Sequence, residues 1–185
     1  MDPFWAMTCA ILVPGMILAS WIDYAQRRVP NWLNVALLVT GFLVQGYFYG
    51  RAGLVTGALG LLVGFGVLIL PWAMHGMGAG DVKLMAAIGV WFGPWMAFVA
   101  FAVGAVLGGI IAVVMIVATG RLHTACANLG ILMVKVQSRE TTFGEFGSAK
   151  SFAAGGSQLL PYGVPLTLGS LIVLAGQIFH WWVLV

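Results

Sequence analysis

The sequence predicts an all-α integral membrane protein, a bundle of six transmembrane helices with both termini outside. Three observations carry that expectation. Hydrophobic residues fill 62% of the 185 positions and charged residues only 7%, with a mean hydropathy of +1.05, far from the range of a water-soluble domain. The apolar residues fall in runs of roughly 20, the length that crosses a hydrocarbon core. The basic residues collect at the ends of those runs. Few residues are left over, so 1–185 reads as one polytopic domain without a separate soluble module.

Backbone polar groups in lipid must be paired within the spanning structure, and runs this long and evenly apolar suit helices better than barrel strands. The first helix covers roughly 4–22; no Lys or Arg precedes it, so it reads as a retained span and not as a secretory signal. The second covers roughly 32–49. Pro30, which lacks an amide hydrogen, and Asn31, a capping residue, suit its start. The third covers roughly 53–72, the fourth roughly 80–93, the fifth roughly 95–118 and the sixth roughly 159–184. The fourth would reach only some 20 Å, so it is expected to tilt or to begin earlier in the glycine-rich stretch. Gly53 and Gly57, Gly60 and Gly64, and Gly104 and Gly108 have the small-xxx-small spacing that lets helix backbones approach closely. Between the fifth and sixth helices, Arg121 to Gln137 sets Leu122, Ala125, Leu129, Leu132, Met133 and Val136 at helical spacing, the pattern of an interfacial amphipathic helix. Ser138 to Ser157, rich in Gly, Ser and Thr, reads as a cytoplasmic loop. His123, His180, Trp181 and Trp182 suit headgroup level.

Orientation follows from charge. Arg27, Arg28, Lys83, Arg121, Lys135, Arg139 and Lys150 fall on one side of the six-helix scheme and only Arg51 on the other, which makes the first side cytoplasmic. The net charge of +3 is thus a topology signal that places lipid, and no nucleic acid, among the partners. Cys9 and Cys126 stand alone, with no CxxC and no His at ligand spacing, so no disulfide framework, metal or cofactor is expected.

Two of the five acidic residues, Asp23 and Asp81, stand at the ends of apolar runs. A carboxylate at the centre of a spanning helix costs about 2.5–3.5 kcal/mol on insertion scales, and less near the interface. Asp23 also opposes the dipole at its helix end. Such residues need a partner, a wet cavity or a chemical task, and in the six-helix scheme both arrive at the cytoplasmic face. Carboxyl groups held close cannot both ionise, and the resulting acid and base can hydrolyse a peptide bond. Asp81 lies within the segment Gly76-Met-Gly-Ala-Gly-Asp-Val-Lys-Leu84, whose alternating glycines allow irregular backbone around a cavity; alone it also reads as a flexible turn with an Asp cap.

Gly78-Ala-Gly80-Asp81 followed by Val-Lys83-Leu84 resembles the GxGD signature of the type IV prepilin peptidases. Asp23 with Arg28-Val-Pro-Asn31 resembles that family's first-aspartate motif, and Leu160-Pro161-Tyr162-Gly163-Val164-Pro165 is similar to a stretch near its last helix. The resemblance implies a membrane aspartic endopeptidase that cuts leader peptides from prepilin-like substrates at the cytoplasmic face of the bacterial inner membrane, with Asp23 and Asp81 catalytic. It implies a substrate carrying a hydrophobic helix, and a role in pilus assembly or secretion. The longer bifunctional members carry a cysteine-rich insertion and also N-methylate the product; without that insertion this chain resembles the short Flp/Tad-type members, with methyltransferase activity not expected. Gly78, Gly80, Lys83, Pro161, Tyr162 and Gly163 are then candidates for shaping the site. Lys83 reads first as a headgroup anchor and second as a tuner of the dyad. Pro161, Tyr162 and Gly163 read as a helix-start kink or as a substrate-side edge, and His75 as an interfacial residue or a proton carrier. The rival reading is a small proton-coupled transporter that uses both carboxylates as a relay.

Overall fold

The computed structural model describes residues 2–26, 29–73, 78–119 and 162–179. Among them every regular element is an α-helix: α1 (Pro3–Gln26), α2 (Asn31–Ala73), α3 (Ala79–Thr119) and α4 (Gly163–Ile178). Pro3–Gln26, Asn31–Ile69 and Ala79–Met115 are each long and apolar enough to cross a membrane. Side chains such as Leu43, Val55 and Val106 face outward, as they do where lipid is the solvent.

The 43 residues of α2 would run about 65 Å if straight, twice a hydrocarbon core. They do not run straight. Gly50 leaves helical geometry at φ 58, a conformation glycine reaches without steric cost. Beyond it the chain packs back on itself: a Cβ on Gly57 would meet the Phe42 ring at 3.3 Å, and one on Gly53 would strike the Gln45 carbonyl. The order 45-to-53 and 42-to-57 is that of two antiparallel arms. These are the second and third helices read from the sequence.

The 41-residue α3 breaks likewise at Gly93, φ 75, next to Pro94. Pro94 has no amide hydrogen, so the Val90 carbonyl four residues back loses its helical donor. Gln45 replaces it from α2, with Nε2 3.2 Å from both the Val90 and Trp91 carbonyls. Fully buried Trp91 donates Nε1 to the Leu37 carbonyl at 2.8 Å, and Gly41 leaves the space that indole needs.

Glycine spacing sets the remaining contacts. Gly60 lies against Gly89 and Gly64 against Met85, leaving no room for a Cβ, so the second arm of α2 runs antiparallel to the start of α3. Phe4 packs edge-on to Phe48 and Tyr49, and Gly15 meets Leu37, so α1 and the first arm of α2 are also antiparallel. Gly104 and Gly169 bring the second arm of α3 against α4. Leu12, Met16, Leu84, Met85, Ile88, Trp91 and Val173 fill the shared core. These pairings gather the end of α1 and the starts of α2, α3 and α4 at one end of the bundle.

The chain falls into two compact units, Met1–Gly108 with Pro161–Val185, and Gly109–Leu160. The described part of the second is the helical end of α3. The expected amphipathic helix and loop of 119–157 lie, from 120 on, outside the described residues. So do Arg27, Arg28, His75, His123, Cys126, Pro161, His180, Trp181 and Trp182.

Candidate active site

Asp23 is 5% exposed and Asp81 6% exposed. The sequence reading ended the first helix near 22, but α1 continues to Gln26, so Asp23 belongs to its last turns. Its carboxylate has found a donor there. The first amides of a helix have no partner within it, and that of Gly163, the first residue of α4, donates to Asp23 Oδ2 at 3.1 Å. Only glycine allows this approach, since a Cβ at 163 would lie 2.6 Å from Oδ2 and 3.0 Å from Cγ. About one turn along, Ser20 and Thr167 join their hydroxyls across the same interface, and Thr167 Oγ1 also donates to the Val164 carbonyl at 2.9 Å. These bonds hold α1 in rotation against α4.

Asp81 stands in the first turn of α3, its amide donating to the Gly78 carbonyl at 3.2 Å. The turn also lies against the Asp81 carboxylate, since a Cβ on Gly78 would sit 3.3 Å from Oδ2. Gly80 rests on Val29: a Cβ there would meet the Val29 nitrogen and Cβ at 3.2 Å. The glycine turn therefore lies on the link between α1 and α2, six residues beyond Asp23. The two carboxyl groups are within electrostatic reach of one another. Asp81 Oδ1 is buried without a hydrogen-bond partner among the described residues. An unpaired buried carboxyl oxygen within electrostatic reach of a second carboxyl suits a bound water or a substrate carbonyl.

The other site candidates divide. Gly78, Gly80 and Gly163 all touch the two aspartates or their supports. Tyr162 flanks α4, half-buried, and makes no side-chain cap bond. Lys83, read first as a headgroup anchor, donates Nζ to Asn31 Oδ1 at 3.0 Å and ties α3 to the start of α2, which leaves two of its ammonium hydrogens for other partners. Asn31 is thereby engaged by an ammonium and is itself the first helical residue of α2. Sequence reasoning passed over Ser20, Thr167, Asn34 and Gln45, although each is a polar side chain inside an apolar run, which was the available signal.

Residues 10–113, which contain both aspartates, match the model of the type IV leader peptidase family. The chain is 32% identical over 120 residues to a prepilin leader peptidase/N-methyltransferase of Aeromonas salmonicida (strain A449), covering 58% of this chain and 41% of that one. It is 33% identical over 118 residues to the protein of the same name in Neisseria gonorrhoeae, covering 60% and 41%. With that of Escherichia coli (strain K12) it shares 35% identity over 102 residues, covering 51% and 44%. The matched stretch thus spans less than half the length of these curated relatives. No solved structure matches. Relatives of this kind do not favour the transporter reading. With more than half of its residues aligned to the family model, the chain belongs to the type IV leader peptidase family.

Proposed function

We propose that this chain is a membrane aspartic endopeptidase that removes short leader peptides from prepilin-like substrates, with Asp23 and Asp81 as its acid–base pair. The observation that supports this reading is that two buried carboxyl groups from distant parts of the chain lie within electrostatic reach of one another, one of them with an oxygen unpaired among the described residues. In the proposed mechanism, one aspartate is ionised and takes a proton from a water molecule as that water attacks the scissile carbonyl. The other, protonated, donates to the carbonyl oxygen. The proton then held by the base passes to the departing amine as the tetrahedral intermediate collapses, and one of its two hydroxyls returns a proton to the other aspartate. Gly163 orients Asp23 and Gly78 orients Asp81; Pro161 and Tyr162 are the proposed substrate-side positions.

The reading includes one polytopic domain over 1–185, six spans with both termini outside, and an active end at the cytoplasmic face of the inner membrane. The distribution of Lys and Arg supports that orientation. A substrate whose own hydrophobic helix packs beside α1, the first arm of α3 and α4 could present its leader at this end. Methylation is not part of the proposed activity, although the relatives carry it in their names.

The test is cleavage of a leader-bearing prepilin by the protein in proteoliposomes. Asp23→Asn and Asp81→Asn should each lower the rate by about 10²-fold or more, while the variants stay folded in the membrane. Processing retained in either variant would refute the dyad.

A further inference from the structure

A cavity of about 310 Å³ opens on the side of α3 away from Asp81. Lys83 and Ala86, two and five positions after Asp81, line it, and at 100° per residue neither shares that aspartate's face. Its floor is apolar, made by Val35 and Leu38 of the first arm of α2 and by Leu61 and Phe65 of the second. Asn34, only 4% exposed, also lines it, and neither its Oδ1 nor its Nδ2 has a hydrogen-bond partner among the described residues. A buried amide that lacks both kinds of partner is costly, and in an apolar groove of this size it points to a ligand that supplies them.

The groove is graded. At its polar end stand Lys83 and Asn31, the first residue of α2; the ammonium has three hydrogens and gives one to Asn31. Asn34 follows about 4.5 Å along the helix and Leu38 about 10 Å along it. Charge, then a hydrogen-bonding amide, then hydrocarbon is the order found along a membrane lipid. Val35 and Phe65 are 59% and 41% exposed, so the groove is open on its outer side. A peptide substrate would have to reach Asp81, which lies on the other face.

We infer that this groove is a specific site for an anionic phospholipid with a hydroxylated headgroup, such as phosphatidylglycerol. Lys83 takes the phosphodiester. Asn34 Nδ2 donates to a phosphate or ester oxygen while Oδ1 accepts from a headgroup hydroxyl, and one acyl chain lies along Val35, Leu38, Leu61 and Phe65. The assignment rests on the membrane reading of the helices but not on the cleavage chemistry, and its readout is independent of processing.

The test is native mass spectrometry and thermal unfolding of the full chain in neutral detergent, titrated with phosphatidylglycerol, phosphatidylcholine or inorganic phosphate. One phosphatidylglycerol should be retained by the wild type and should raise its unfolding temperature, with phosphatidylcholine about tenfold weaker or more. Asn34→Leu should fold, because it replaces an unpaired amide by a hydrocarbon of similar size, yet lose the lipid-dependent increment; Lys83→Gln should lose the preference for the anionic lipid. An equal response to phosphatidylcholine would overturn the proposal, as would an undiminished increment in Asn34→Leu. A response to inorganic phosphate alone would make the site one for free anions. A photoreactive residue at Val35 that captures a leader-bearing prepilin instead of lipid would also overturn it.

Discussion

Position 163 has little freedom. Its amide is the described donor to Asp23 from outside α1, and its missing side chain is the space that carboxylate occupies. Gly163→Ala should therefore displace Asp23 without unfolding the bundle, because the clash falls on a movable side chain. Misplacing a catalytic group by about 1 Å can cost on the order of 10²-fold in rate. The expected outcome under the proposed activity is a cleavage rate lowered at least about tenfold with an unfolding temperature near that of the wild type. An unchanged rate would show that the Asp23 position is not critical. Ser20 and Thr167 work at one remove, since their bond sets how α1 is rotated and hence where Asp23 points.

Among elements, both long helices are interrupted at a glycine of positive φ, yet they are mended differently. The Gly50 break sits at an exposed turn. The Gly93–Pro94 break is buried against α2, and Gln45 supplies the hydrogen bonds that proline cannot. Gln45→Leu should then cost about 1–3 kcal/mol by leaving buried carbonyls unpaired. Reversible unfolding in mixed micelles would measure the loss, and no loss would mean that other groups satisfy Val90 and Trp91. Glycines offer a matched pair of controls. Gly60 lies against the Gly89 backbone, so Gly60→Ala should force two helices apart and cost about 1–3 kcal/mol, whereas Gly66 has open space around it and Gly66→Ala should be neutral or stabilising by up to about 1 kcal/mol. Equal effects at 60 and 66 would contradict the close approach.

For the whole molecule, the antiparallel contacts gather four helix ends at one pole, and the basic residues make that pole cytoplasmic in the proposed orientation. In a cysteine-free background, Ala79→Cys and Arg51→Cys should react with an impermeant maleimide from opposite sides of sealed vesicles. Labelling from the same side would exclude the proposed crossings between them.

Apolar content and run length were enough to predict an all-helical architecture suited to a membrane, because lipid leaves a backbone so few ways to pair its polar groups. Residue type drew attention to Asp23 and Asp81, since an acid in an apolar run is costly, and glycine spacing announced close helix contacts that Gly60 and Gly64 make. Other features needed three dimensions. The donation of Lys83 to Asn31, the service of Gln45 to a carbonyl 45 positions away and the docking of Gly163 on Asp23 are pairings between distant segments. A linear pattern records which residues are polar, but whether such a residue meets a partner, a ligand or nothing depends on which helix faces pack together.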